Sequence, residues 1–340
     1  MVWFLGAGSG GHLAPNYAIY QKLKTQVGLK FRFVLTGGSF ERAYSEDRLL
    51  PSNFYLYDRL VAGNLVQKIF KVVVCICQNL WFLFRERPDL IVSTGGYGSF
   101  PGLFCARFFG IPYVLIEPNK VAGKVNRWFS KGAQLIVTNY ENVFNSNSLK
   151  VSRLGIPLLL KKKSKKGFTL LAFGASQGAQ SINRLIQKVV EDGTIRPVRW
   201  IVGSKNFAEF HDYNKLDGVS VEAFCDDMQS AYDDARLVLC RSGAGSVAEV
   251  HAMNLPAVFV PFPGHQDRQQ YKNCEYLKQS GCCLVWEDDS LQDKLIELRA
   301  LWLDKSNLEK MSSSYGNISV NPIDACDKVV EELLKLIPKG

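Results

Sequence analysis

His12 stands directly after a glycine run, Gly6-Ala-Gly-Ser-Gly-Gly11, that closes the short apolar segment 2–5. Imidazole titrates nearer neutrality than any other unperturbed side chain, so on a loop beside a helix start it can take a proton from a reacting group. Glycines at such a turn let backbone N–H groups and a helix N-terminus approach a phosphate. A second loop of this kind, Phe173-Gly-Ala-Ser-Gln-Gly-Ala179, closes the apolar run 169–173 half a chain later. The first run also satisfies the G-x-G-x-x-G dinucleotide pattern. A nicotinamide cofactor further requires an acid at the end of the second strand to hold the ribose. That strand ends Phe33-Val-Leu-Thr-Gly-Gly38 and no acid follows until Glu41, which argues against NAD.

Four more segments carry groups suited to sugar or nucleotide chemistry. Ser93-Thr-Gly-Gly-Tyr-Gly-Ser99 is a further glycine turn, with Gly95, Gly96 and Tyr97 at its centre. Glu117 and Asn119 follow the apolar run 113–116, at the strand end where open α/β sheets place their sites. In Cys240-Arg-Ser-Gly-Ala-Gly-Ser-Val-Ala-Glu249, small residues (Ala244, Gly245, Ser246, Val247 and Ala248) would let a diphosphate approach the backbone. Glu249 could then accept both hydroxyls of a ribose. Gln269 and Gln270 offer amide donors and acceptors matched to sugar hydroxyls.

Short apolar runs spaced by helix-length segments are what must position these groups. They fall at 2–5, 31–35, 54–57, 89–93, 112–116 and 134–138, then at 169–173, 198–202, 219–223, 236–240, 256–260 and 283–286. This alternation predicts right-handed βαβ units, hence an α/β fold with a parallel sheet in each half. The expected division is a first domain at 1–155, a hinge at 156–167 and a second domain at 168–340, closed by a helix after Asn321-Pro322. No basic leader or cleavage site precedes the first strand, so no secretory signal is expected.

Charge is unevenly shared. Residues 1–155 hold 18 Lys and Arg against 8 Asp and Glu, whereas 156–340 hold 23 against 24, five of those lysines in Lys161-Lys-Lys-Ser-Lys-Lys166. The first half therefore expects an anionic partner. No nucleic-acid-binding module is recognisable, so a nucleic acid is not expected and an anionic membrane surface is. The apolar segment 69–84 is too short and too interrupted to be expected to span a bilayer. Two readings stay open for it: a helix buried in the core, or an interfacial anchor built from Trp81, Phe82 and Phe84 with Lys68, Lys71 and Arg85 at its ends. The nine cysteines have no metal-ligand spacing, so structural thiols in a reducing cytoplasmic setting are expected, and no metal site.

Taken together, GSGGH, STGGYGSFPG, the Glu117-Pro-Asn119 segment, FGASQGAQSIN, FCDDM, CRSGAGSVAE, PFPGHQDRQQYKN and NPIDA resemble glycosyltransferase family 28 along nearly the whole chain. The resemblance is to its N-acetylglucosaminyltransferases of peptidoglycan synthesis. It implies a GT-B fold, two Rossmann-like domains with parallel sheets facing across a cleft. It also implies inverting transfer of GlcNAc from UDP-GlcNAc to polyprenyl-linked lipid I, by a peripheral enzyme at the cytoplasmic face of the inner membrane, without cofactor or catalytic metal. Position by position, it assigns Glu249 to the ribose, the Cys225 backbone to the uracil, Ser176 and Ala244–Ala248 to the diphosphate, and Gln269 and Gln270 to the sugar. Ser9, Gly10, Gly11, His12 and Asn119 would line the acceptor side, with His12 as the base. Pro118 stands where the family has Gln, and Leu159 where it has an arginine toward the donor; a lysine of 161–166 is the expected replacement. Another GT-B enzyme (a glycolipid glycosyltransferase or a UDP-sugar epimerase) and a non-catalytic membrane adaptor remain the alternatives.

Overall fold

The computed structural model describes residues 1–6, 10–26, 28–55, 62–144, 149–163, 165–174, 178–264 and 267–338. Its chain divides into two compact units, Met1–Leu159 with Asp324–Gly340, and Leu160–Ile323.

In the first unit, strands β1 (Val2–Leu5), β2 (Phe31–Leu35), β3 (Ser52–Phe54), β4 (Leu90–Ser93), β5 (Tyr113–Glu117), β6 (Leu135–Thr138) and β7 (Val151–Arg153) form one parallel sheet. Their order is β3-β2-β1-β4-β5-β6-β7. Helices α1 (Gly10–Leu23), α2 (Ser39–Asp47), α3 (Leu65–Arg85), α4 (Phe100–Phe108) and α5 (Lys124–Phe129) connect the strands. The central strands are buried along their length, which is why they read as unbroken apolar runs rather than as alternating patterns. The edge strand β7 begins with exposed Val151 and carries only three residues, too little apolar pattern to be predicted.

The second unit repeats the plan. Strands β8 (Thr169–Phe173), β9 (Val198–Ile201), β10 (Val219–Glu222), β11 (Ala235–Cys240), β12 (Ala257–Phe259) and β13 (Cys283–Val285) run parallel in the order β10-β9-β8-β11-β12-β13. Around them lie α6 (Gln180–Asp192), α7 (Phe207–Phe210), α8 (Met228–Asp234), α9 (Ala244–Ala252), α10 (Gln269–Gln279), α11 (Leu295–Leu303) and α12 (Lys305–Ser313).

The closing helix α13 (Ala325–Leu336) departs from the expected domain division. Its apolar stripe, Cys326, Val329, Val330 and Leu333, joins the core formed by Ala18, Ile19 and Leu23 of α1 and the strands of the first sheet. The chain therefore ends in the unit where it began. Sequence periodicity showed an amphipathic helix there but could not say which sheet would bury it.

Candidate functional site

In the first sheet, the strand order reverses between β1 and β4. Such a switch point opens a crevice beyond the carboxyl ends of the two strands. His12, in the first turn of α1, lies there half-buried, with Nδ1 3.0 Å from the Thr94 carbonyl oxygen just past β4. A carbonyl only accepts, so Nδ1 carries the proton and Nε2 keeps its lone pair. Burial lowers the His12 pKa below the usual histidine value, against the pull of the Thr94 carbonyl, so the ring is a neutral base at pH 7. Thr94 Oγ1 donates back to the His12 carbonyl at 2.7 Å. Buried Asn16, four residues on in α1, donates to the Leu5 carbonyl at 3.0 Å. Thr94 and Asn16 were not singled out as site residues, because each acts on a segment distant in the chain. Gly10 and Gly11 sit at the α1 N-terminus, and Ser9 lies outside the described residues.

The next loops are locked to one another. Buried Glu117 accepts hydrogen bonds from Asn119 N (3.0 Å), Asn119 Nδ2 (3.3 Å), Gly123 N (2.8 Å) and Asn126 Nδ2 (2.9 Å). Burial raises its pKa, and these four bonds oppose the rise. Asn119, expected to face substrate, thus turns part of its amide inward. Gly95 and Gly96 both have positive φ, and a Cβ on Gly95 would stand 2.8 Å from Asn126 Oδ1. Only glycine can hold that turn against the Glu117 network.

In the second sheet the order reverses between β8 and β11. Gly178 closes the β8 loop at a positive φ, where a Cβ would meet the Val202 carbonyl oxygen at 2.1 Å. Ser176 lies outside the described residues. After β11, residues Ala244–Ala248, expected as a loop, form the first turns of α9. Val247 and Ala248 point into the core, so neither can offer its side chain to a ligand. Gly243 and Gly245 have open space where a Cβ would stand, which leaves the backbone at the α9 N-terminus approachable.

Glu249, further along α9, is partly buried and accepts a hydrogen bond from Tyr232 Oη at 2.8 Å. Burial raises its pKa and the Tyr232 bond draws it down. Cys225 is buried beside Arg199, whose Nη2 lies 3.3 Å from the sulfur while the guanidinium grips Glu222 at 2.7 and 3.1 Å. Gln270 Oε1 accepts from Phe262 N at 2.9 Å, so that amide braces its own loop. Gln269, next to it at the start of α10, is half-buried.

Arg241 was passed over in the sequence as part of a small-residue loop. It is buried, bonds the carbonyls of Val260 and Pro261 at 3.2 Å each, and pairs with Asp288 at 2.5 Å. It ties the ends of β11 and β12 together, and its presence in the CRSG segment was the available signal.

Three lysines of the 161–166 run are engaged away from the position of Leu159. Lys163 Nζ donates to the Tyr232 and Ala235 carbonyls at 2.9 and 2.5 Å, and Lys165 pairs with Asp234 at 2.6 Å. Lys166 pairs with Glu309 at 2.6 Å. Ala235 begins β11, so these contacts lie at the sheet edge opposite Arg241 and Glu249.

Helix α3 covers segment 69–84 and has one buried and one exposed face. It runs longer than expected and, by length and composition alone, could cross a membrane. One face is core: Cys75 and Phe82 are buried, and Asn79 bonds the Tyr55 hydroxyl. Phe82 therefore does not belong to an exposed patch. The other face is bare, with Val66 75% and Phe84 92% exposed and Ile69, Phe70, Val73 and Trp81 more than half exposed. Arg85 stacks on Trp81 at 4.4 Å, and Lys71 Nζ donates to the Ala62 carbonyl at 2.9 Å. Tyr97 joins Lys68, Ile69, Val73, Phe100 and Trp128 around an apolar groove of about 300 Å³. Among the described residues, no three His, Cys, Asp or Glu side chains gather as metal ligands would.

The profile of the glycosyltransferase family 28 N-terminal domain matches residues 2–138, and that of the C-terminal domain matches residues 169–321. The chain is 33% identical over 326 residues to the UDP-N-acetylglucosamine--N-acetylmuramyl-(pentapeptide) pyrophosphoryl-undecaprenol N-acetylglucosamine transferase of Haemophilus ducreyi, covering 91% of each chain. To the protein of the same name from Shewanella woodyi it is 33% identical over 364 residues, covering 100% of this chain and 98% of the other. The crystal structure of Acinetobacter baumannii MurG superposes with a TM-score of 0.77 at 25% identity, over 98% of this chain and 99% of that one.

Proposed function

We infer, since this chain belongs to glycosyltransferase family 28, that it is an N-acetylglucosaminyltransferase carrying GlcNAc from UDP-GlcNAc to lipid I, forming lipid II for peptidoglycan. Its two-domain α/β architecture is of the GT-B type. The observation that carries the reading is the match of both halves of the chain to both domains of that family.

The residue roles are those the family resemblance implies, set against the chemistry of each switch point. The acceptor hydroxyl gives its proton to Nε2 of His12 while its oxygen forms the new bond to the anomeric carbon. The bond from that carbon to the UDP oxygen breaks on the opposite face, the electron pair leaves with UDP, and the anomeric centre inverts. Neutral His12 suits the task because its Nδ1 is already committed to Thr94. The approachable amides at the α9 N-terminus offset the charge gathering on the departing diphosphate. Glu249 accepts the ribose hydroxyls, the Cys225 backbone meets the uracil, and Gln269 reads the sugar. Gln270 holds the Phe262 backbone and so shapes the sugar pocket.

The bare apolar face of α3, with Lys68 and Arg85 at its ends, seats the first unit on the anionic cytoplasmic face of the inner membrane, where the polyprenyl acceptor resides. The chemistry assigned above calls on no cofactor or metal. The test is transfer of radiolabelled GlcNAc from UDP-GlcNAc to a short-chain lipid I analogue, first with a chelator present and then with Mg²⁺ in excess of it. Label in the organic extract is the expected result. Bound donor without labelled lipid would overturn the acceptor assignment. Activity that appears only after Mg²⁺ is restored would overturn the metal-free reading.

A further inference from the structure

The second unit carries a cavity of about 780 Å³ that the transfer reaction does not use. Gly167, Phe168, Pro197, Ala235 and Pro256 line it, residues that precede or open β8, β9, β11 and β12. It therefore lies at the amino ends of the strands, opposite the edge that carries Arg241 and Glu249.

Its walls divide by chemistry. Lys163, Lys165, Lys166, Arg196, Arg236 and Lys305 supply six cations. The carboxylate of the lining, Glu309, is held by Lys166, and the nearby Asp234 by Lys165. Opposite signs thus leave a clear surplus of positive charge. Beneath the cations lies an apolar floor of Met253, Leu255, Trp302 and Leu308. Arg236 lies over the Trp302 ring at 4.6 Å and donates to its carbonyl at 2.7 Å, which holds the guanidinium in a fixed plane.

Three polar groups in this wall are left wanting, one of them the buried acceptor Asn254 Oδ1. Arg196 Nη2 donates to the Val190 carbonyl at 2.7 Å, whereas its Nη1 is buried without a hydrogen-bond partner. The Lys163 ammonium satisfies two carbonyls, but burial pulls its pKa down to about 8 against the pull of Asp233 and Asp234. A buried donor with no acceptor and a buried cation with no bonded anion both carry a standing cost. A phosphate group in this wall would give its surplus cations an anionic partner.

We propose that this pocket binds a phosphorylated compound, its phosphate held by Arg196, Arg236 and Lys305 and its apolar or planar body resting on Trp302 and Leu308. A phospholipid headgroup and a soluble phosphate ester share that chemistry. The pocket is a second ligand site, remote from the donor edge of the sheet.

The test uses the full chain saturated with UDP, which fills the donor site. Calorimetry with inorganic pyrophosphate probes the soluble source; co-sedimentation with phosphatidylglycerol vesicles, against phosphatidylcholine vesicles, probes the lipid source. Wild type is compared with the double variant Lys166→Glu/Lys305→Glu, whose two side chains are exposed and whose change leaves the floor intact. Arg236→Gln serves as an independent second variant. Pyrophosphate affinity lowered tenfold or more in both variants supports a soluble phosphate ligand. Vesicle binding lowered tenfold in both variants, with no pyrophosphate heat in any protein, supports a headgroup. Pyrophosphate bound equally by all three proteins, or neither probe affected by the substitutions, overturns the proposal. UDP-GlcNAc affinity measured on the same variants remains at the wild-type value if the pocket is separate from the donor site.

Discussion

At the scale of single residues, the arrangement of His12 makes its chemistry testable. Its Nδ1 is committed to Thr94, so removing the ring removes the base without disturbing the second unit. His12→Ala is expected to lower turnover about 100- to 10,000-fold, the usual worth of a positioned base, with UDP affinity retained. Because burial lowers the His12 pKa, the ring stays neutral to lower pH than a free histidine. The base works only when neutral, so the acid limb of kcat/KM should inflect below pH 6.5, and the residual activity of the variant should lack that limb. A limb above pH 7 in the wild type would exclude His12. Glu249→Ala tests the donor side. Hydrogen bonds to a charged group are worth about 1.5–3 kcal/mol, so UDP-GlcNAc should bind about 10- to 100-fold more weakly in a calorimetric titration. Equal affinity would remove Glu249 from the ribose. His12 and Glu249 were legible from type and spacing. Thr94, Asn16, Tyr232 and Arg241 were not assigned, because their roles are contacts across 11 to 82 residues of chain.

At the scale of elements, α3 shows what an apolar run leaves undecided. Its apolar residues fall on more than one face, so the sequence left both a core helix and a surface anchor open. Packing buries Cys75, Asn79 and Phe82 and leaves Ile69 and Phe84 outside. Ile69→Ser with Phe84→Ser removes two exposed apolar side chains without touching the buried face. Burial of such a side chain is worth about 1.5–3 kcal/mol, so binding to anionic vesicles should fall tenfold or more while the circular dichroism stays unchanged. Undiminished co-sedimentation would mean that this face does not meet the bilayer. The strands were read within a residue or two where both faces are buried, as in β1, β4 and β8. Edge strand β7 escaped notice for the converse reason: three residues, one face open, no run to detect.

At the scale of the whole molecule, the chain returns to its starting unit through α13. Leu333 is buried with α1 and the first sheet, so Leu333→Ala should cost about 2–5 kcal/mol of that unit's stability. A fall of several degrees in its melting temperature, with UDP-GlcNAc affinity retained, is the expected result; an unchanged melt would detach α13 from that core. The sequence by itself determined the two parallel α/β halves, the glycine-marked strand ends and the groups capable of chemistry, because buried strands and phosphate-facing turns admit few residue types. It determined the charge split as well, since charge is additive along a chain. Tertiary structure alone decided which sheet buries α13, which face of α3 is bare, which amides brace loops, and where the lysine run lies. Each of these depends on a partner distant in sequence, and a local pattern states what a segment can bury without naming what it is buried against.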